Sequence, residues 1–133
     1  FLIQPILENA IVYGVSQTLV HCMLTVEAHR TGEVVVLSVS NTGKMIDPQR
    51  LEEVNGLLSG EVSQETFQGN RNGLALYNIR ERLAIFFDGC ASIRLARKEK
   101  RTVTIVTIWG GIPQKTGQRE RKENGQYVSD IDC

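Results

Sequence analysis

Three positions in this chain combine a residue type and a setting that could do chemistry on a ligand. The first is Asn9, within Gln4-Pro5-Ile6-Leu7-Glu8-Asn9-Ala10-Ile11. At roughly 100° per residue, Ile3, Ile6, Leu7, Ala10, Ile11 and Gly14 share one helix face. Asn9 falls at the margin of that stripe beside Tyr13, so its carboxamide is wedged against a core yet can present its oxygen to a pocket, as a ligand of a hard cation would. The plainer alternative is an asparagine that satisfies nearby backbone groups. The second position is Asn41, which ends a Val-rich alternating stretch on the same face as Val35, Leu37 and Val39. A polar group placed among large apolar side chains asks for a partner. The third is Gly73, where a polar, glycine-bearing loop runs into a helix. Unpaired N–H groups and the helix dipole at such a junction favour an anion, phosphate above all.

A nucleophile is missing from this set. The two histidines, His21 and His29, fall on a predicted strand and read as solvent-face residues, so no catalytic residue is expected on the chain itself. Cys22, Cys90 and Cys133 are odd in number and lack metal-ligand spacing, so reduced thiols in a reducing compartment are the simpler expectation. Lys+Arg and Asp+Glu both number 15, so no global field favours nucleic acid or an anionic membrane. Any anion must be held locally. No stretch approaches the ~20 apolar residues of a membrane span, and the N-terminus lacks the basic start of a secretory signal.

The elements that must position these residues follow from periodicity. Pro5 is tolerable only in a first helical turn, so the helix should begin near Gln4. From Leu19 an alternating pattern puts Cys22, Leu24, Val26 and Ala28 on one side of a half-buried strand, and Glu33 to Ser40 returns after a turn at Arg30-Thr31-Gly32. Asp47-Pro48 reads as N-cap and first residue of a helix with Leu51, Val54, Leu57 and Leu58 on one stripe. Ser59 to Asn72 lacks periodicity and reads as a mobile loop of about a dozen residues. Helical spacing resumes from Gly73, with Leu76, Ile79, Leu83 and Phe86 facing one way. Cys90 to Arg97 and Thr102 to Trp109 form a second hairpin. With 133 residues, 41% hydrophobic, one domain over 1–110 is expected, followed by a polar, flexible tail over 111–133. The order predicts an α+β fold, a two-layer sandwich with helices on one face of a mostly antiparallel mixed sheet.

Glu8-Asn9-Ala10, Val39-Ser40-Asn41-Thr42-Gly43 and Gly73 to Leu83, in that order, together resemble the ATP-binding domain of bacterial sensor histidine kinases in the LytS- and YesM-like branch. The resemblance covers Phe1 to about Trp109 and implies the Bergerat ATP-binding fold, here without its first strands. It implies Mg-ATP as ligand, with Asn9 on Mg²⁺ and Asn41 at the position of the adenine-reading Asp. Gly43 stands at the first glycine of that loop, and Met45 and Tyr13 stand where glycine and His are common. The phosphate loop would run from Gly69 to Leu76, with Arg71, Gly73, Leu74 and Leu76 as binding positions and Ser59 to Asn72 as a lid over the nucleotide. Arg71 and Ala75 replace family glycines there. The implied partners are ATP, a phosphoacceptor-histidine domain of the same protein and, indirectly, a response regulator, all cytoplasmic. An open sheet edge would allow a homodimer. A degenerate relative that keeps the fold as a regulatory or interaction module is the alternative.

Overall fold

The computed structural model describes residues 3–17, 21–67 and 71–110, so the expected tail over 111–133 lies outside the described residues. The first helix, α1, spans Ile3–Tyr13 and carries Pro5 in its first turn. Its buried arc is Ile6, Asn9 and Ala10, while Ile3 and Ile11 are 41% and 44% exposed. The helix is therefore rotated relative to its apolar stripe, and Asn9 lies inside the buried arc rather than at its margin. A single turn of 3-10 helix at Val15–Gln17 follows.

The sheet has four strands, β1 (Leu24–Thr31), β2 (Val34–Asn41), β3 (Ala91–Lys98) and β4 (Arg101–Ile108), in the order β1-β2-β4-β3. Every described pairing is antiparallel, so the mixed sheet expected from sequence is not found among these strands. Gly32, at φ 59, turns β1 into β2. The β3–β4 turn places Glu99 and Lys100 at φ 49 and 62, left-handed values that cost side-chain-bearing residues about 1–2 kcal/mol each.

β1 departs most from its expected form. It starts at Leu24 rather than Leu19, and from Glu27 onward both of its faces are exposed, with Val26 46% exposed. As an edge strand it lies beyond the helical layer, so alternation there did not mark a core face. β2 and β4 instead carry that face: Val39 and Asn41 on one, Thr104, Val106 and Ile108 on the other, are all buried.

Helix α2 (Pro48–Ser59) begins as its sequence prescribes. Asp47 Oδ1 accepts from Gln49 N at 3.0 Å, and Pro48 occupies a position that needs no donor. Val54, Leu57 and Leu58 are buried, and Gly60 ends the helix at φ 84. Asn55, on the same helix, makes a two-pronged bond to the backbone of β3: its Nδ2 donates to Leu95 O at 2.9 Å and its Oδ1 accepts from Leu95 N at 2.8 Å.

Helix α3 (Arg71–Phe86) starts two residues before Gly73, so the loop preceding it is shorter than expected. Leu76, Ile79 and Leu83 face the core, but the next buried aromatic is Phe87, and Phe86 is 66% exposed. Phe87 N donates to Leu83 O at 2.9 Å, which keeps it in helical register with Leu83 four residues back. Among the described residues no helix is long and apolar enough to cross a membrane.

Candidate functional site

The polar residues singled out on α1 and β2 meet at one cavity of about 400 Å³. Its floor is the helix-facing side of the sheet. Asn41 stands opposite Thr102 in the β2–β4 register, and Thr104 stands opposite both Val39 and Leu95. Its roof is α1, through Asn9, Ala10, Tyr13 and Gly14. The loop after β2 closes one side with Lys44, Met45, Ile46 and Asp47, and Arg50 of α2 completes the wall.

Local geometry explains how the chain holds this shape. Ile46 N donates to Thr102 Oγ1 at 2.9 Å, tying the loop to β4. Gly43, at φ 101, turns the chain so that Lys44 N reaches Gly14 O at 3.3 Å, tying the same loop to the end of α1. Gly14 has no room for a side chain, because a Cβ there would run into Asn41 Nδ2 and Cγ. Asn41 is 4% exposed and its Nδ2 donates to Thr42 O at 3.0 Å. With the amine end so engaged, the carboxamide oxygen is the group left to accept from a ligand.

Asn9 is the unusual member. It is 8% exposed, and its Oδ1 is buried with no hydrogen-bond partner among the described residues. Buried acceptors are nearly always satisfied, and leaving one unsatisfied costs about 1–3 kcal/mol. Among the described residues no group of three His, Cys, Asp or Glu could hold a metal. A buried oxygen without a described partner, on a residue of the cavity lining, has the chemistry of a single protein ligand for a hard divalent cation, which takes most of its other ligands from water and phosphate.

Four of the residues expected at the site, Asn9, Tyr13, Asn41 and Met45, line the cavity. Gly43 is not among its lining residues and acts through the turn just described. Gly73, Leu74 and Leu76 do not line it either. Leu76 is fully buried in the hydrophobic core, where no ligand can reach it. Gly73 is buried in the first turn of α3, and a Cβ on it would run into Cζ and Cε1 of Phe67. The side chain of Arg71 lies outside the described residues, as do Gly69 and Asn70 of the expected phosphate loop. The described part of the expected lid, Ser59 to Phe67, is folded locally: Val62 N donates to Gly56 O, Thr66 N to Ser63 O, and Phe67 packs against the core.

Sequence reasoning missed Thr104, Thr102 and Arg50. A signal for Thr104 was present, since it shares the parity of Val106 and Ile108 and so had to be a polar group on an apolar face. Arg50 carried none: its place in the wall depends on the angle at which α2 leaves the loop.

A model of the family described as "Histidine kinase-, DNA gyrase B-, and HSP90-like ATPase" matches residues 1–111. The chain is 28% identical over 107 residues to sensor histidine kinase YesM of Bacillus subtilis (strain 168), covering 80% of this chain and 16% of that protein. It is 31% identical over 93 residues to sensor histidine kinase YpdA of Escherichia coli (strain K12), covering 70% of this chain and 15% of that one. The chain thus spans about one sixth of the length of these relatives. In fold it is similar to the nucleotide-free catalytic domain of histidine kinase ThkA, with a TM-score of 0.52 at 22% identity over 83% of this chain and 67% of that one.

Proposed function

Because the chain belongs to the histidine kinase-, DNA gyrase B-, and HSP90-like ATPase family, we propose that it is the ATP-binding catalytic part of a sensor histidine kinase and that it holds Mg-ATP in the cavity between α1 and the sheet. The observation that carries this reading is Asn9, a residue of the cavity lining whose buried Oδ1 has no hydrogen-bond partner among the described residues. That oxygen would ligate Mg²⁺, which when bound supplies charge neutralisation between the phosphates. Asn41 Oδ1 accepts from the exocyclic amine of adenine, while Tyr13, Met45 and Ile46 line the same space and exclude water around the base. Phosphoryl transfer depends on positioning and charge stabilisation more than on a protein nucleophile. This chain therefore contributes binders, and the acceptor histidine belongs to another domain of the same protein. The response regulator acts downstream of that domain, all on the cytoplasmic side. His21 and His29 are both exposed and far from any acceptor role, His29 on the edge strand β1.

Calorimetric titration with a non-hydrolysable ATP analogue, with and without Mg²⁺, tests the reading. Saturable binding that tightens with Mg²⁺ is expected. No saturable binding under either condition refutes it and leaves the second reading, a regulatory module that keeps the fold without the nucleotide. The contact of Phe67 with Gly73 is the observation that favours that second reading.

A further inference from the structure

The cavity stops at Arg50 and includes no described residue of α3, although α3 begins with the buried glycine at which a phosphate was expected. One described side chain, Phe67, contacts both places. The ring of Phe67 lies against Gly73 so closely that a Cβ could not be added there. Over a face of the same ring the guanidinium of Arg50 sits 5.2 Å from the centroid, within cation–π range. Arg50 is itself part of the cavity wall and is also bonded to Glu53 at 3.0 Å. Phe67 thus touches both Arg50 of the cavity wall and the first turn of α3.

We propose that Phe67 is a built-in competitor of the phosphate end of the ligand, its ring occupying the route from the cavity to the start of α3. This rests on the nucleotide reading given above. Adenosine, which needs only the cavity floor and roof, binds with the ring in place. A triphosphate binds fully only when the ring has left Gly73, and that movement uncovers Arg50 for the phosphates at the same time. The side chain that keeps the resting domain packed therefore sets how strongly it discriminates between nucleoside and nucleotide. The apparent affinity for a triphosphate is reduced by the fraction of molecules in which the ring is displaced. If the ring is seated in nine molecules of ten, its removal tightens the triphosphate by roughly tenfold.

Titration calorimetry on the whole chain, with adenosine and with a non-hydrolysable ATP analogue plus Mg²⁺, reads this directly. Phe67→Ala is expected to bind the analogue about three- to tenfold more tightly than wild type while adenosine changes by less than about twofold. Phe67→Leu, which keeps much of the apolar packing, moves the same way by a smaller factor and replaces the alanine variant if circular dichroism shows that it does not fold. Unchanged or weaker analogue binding in the folded variant, with adenosine still bound, overturns the role of the ring alone. Failure of both ligands to bind wild type and variants overturns the nucleotide reading and the ring's role with it.

Discussion

Replacing Asn9 with leucine should make the domain more stable without ligand and less stable with it. Asn9 Oδ1 is buried with no partner among the described residues, and such an acceptor costs the folded state about 1–3 kcal/mol. Leucine has a similar size, carries no acceptor and has the cavity to extend into, so Asn9→Leu should recover about 1–2 kcal/mol. For a domain near 100 residues each kcal/mol moves the thermal midpoint by about 4 °C or somewhat more, so the variant should melt roughly 4–8 °C higher. Mg-ATP analogue at a hundred times its dissociation constant should add about 2.7 kcal/mol to wild type through linkage, on the order of 10 °C. The variant should gain almost nothing, so the order of the two melting curves reverses on adding ligand. Differential scanning calorimetry at matched ligand concentrations measures both shifts. A variant that melts below wild type without ligand would show Asn9 to be a structural residue. A variant that keeps the full ligand shift would remove Asn9 from metal binding.

Three further outcomes are expected. Asn41→Asp should lower the thermal midpoint, because Nδ2 donates to Thr42 O at 3.0 Å and a carboxylate would face that carbonyl instead. The same change should raise the ratio of ATP to GTP affinity roughly fivefold, from the stronger bond to a charged acceptor, and an unchanged ratio in paired titrations takes Asn41 out of base reading. Asn55→Ala should cost about 1–3 kcal/mol in urea denaturation, since both Leu95 backbone groups lose their partner at once; a loss below about 0.5 kcal/mol would show that water replaces the bonds. Changing Glu99-Lys100 to Asn-Gly, the pair best suited to two left-handed residues, should raise stability by about 1 kcal/mol, and an unchanged denaturation midpoint would show that the turn is not strained.

What could be read from the sequence was whatever depends on local chemistry. Asp47-Pro48 set the start of α2 because capping is decided within four residues, and Asn41 was placed by the parity of its own strand. Asn9 was found for the right residue type but at the wrong depth, because packing against the sheet, not the apolar stripe alone, sets how a helix is rotated. β1 misled because alternation describes two faces and says nothing about whether a helical layer reaches over one of them. Gly73 was legible as a glycine that needs room, whereas its neighbour was not: phosphate and a phenyl ring make the same demand on a backbone. Phe86 and Phe87 were confused for a simpler reason, since adjacent aromatics at a helix end both fit a 3.6-residue period within its tolerance.

The bond between Asn55 and Leu95 also bears on how copies of this chain could assemble. A sheet with two open edges can add strands at either side and grow without limit. Here β3 is bracketed at its centre by a side chain of α2, and a strand arriving there would have to displace that helix first. β1, at the other end of the order, carries no such bracket among the described residues. Among the described residues one edge is thus left open to strand-to-strand association, and a pairing of β1 with β1 of a second copy would use that edge on both. Growth by that pairing would end at two.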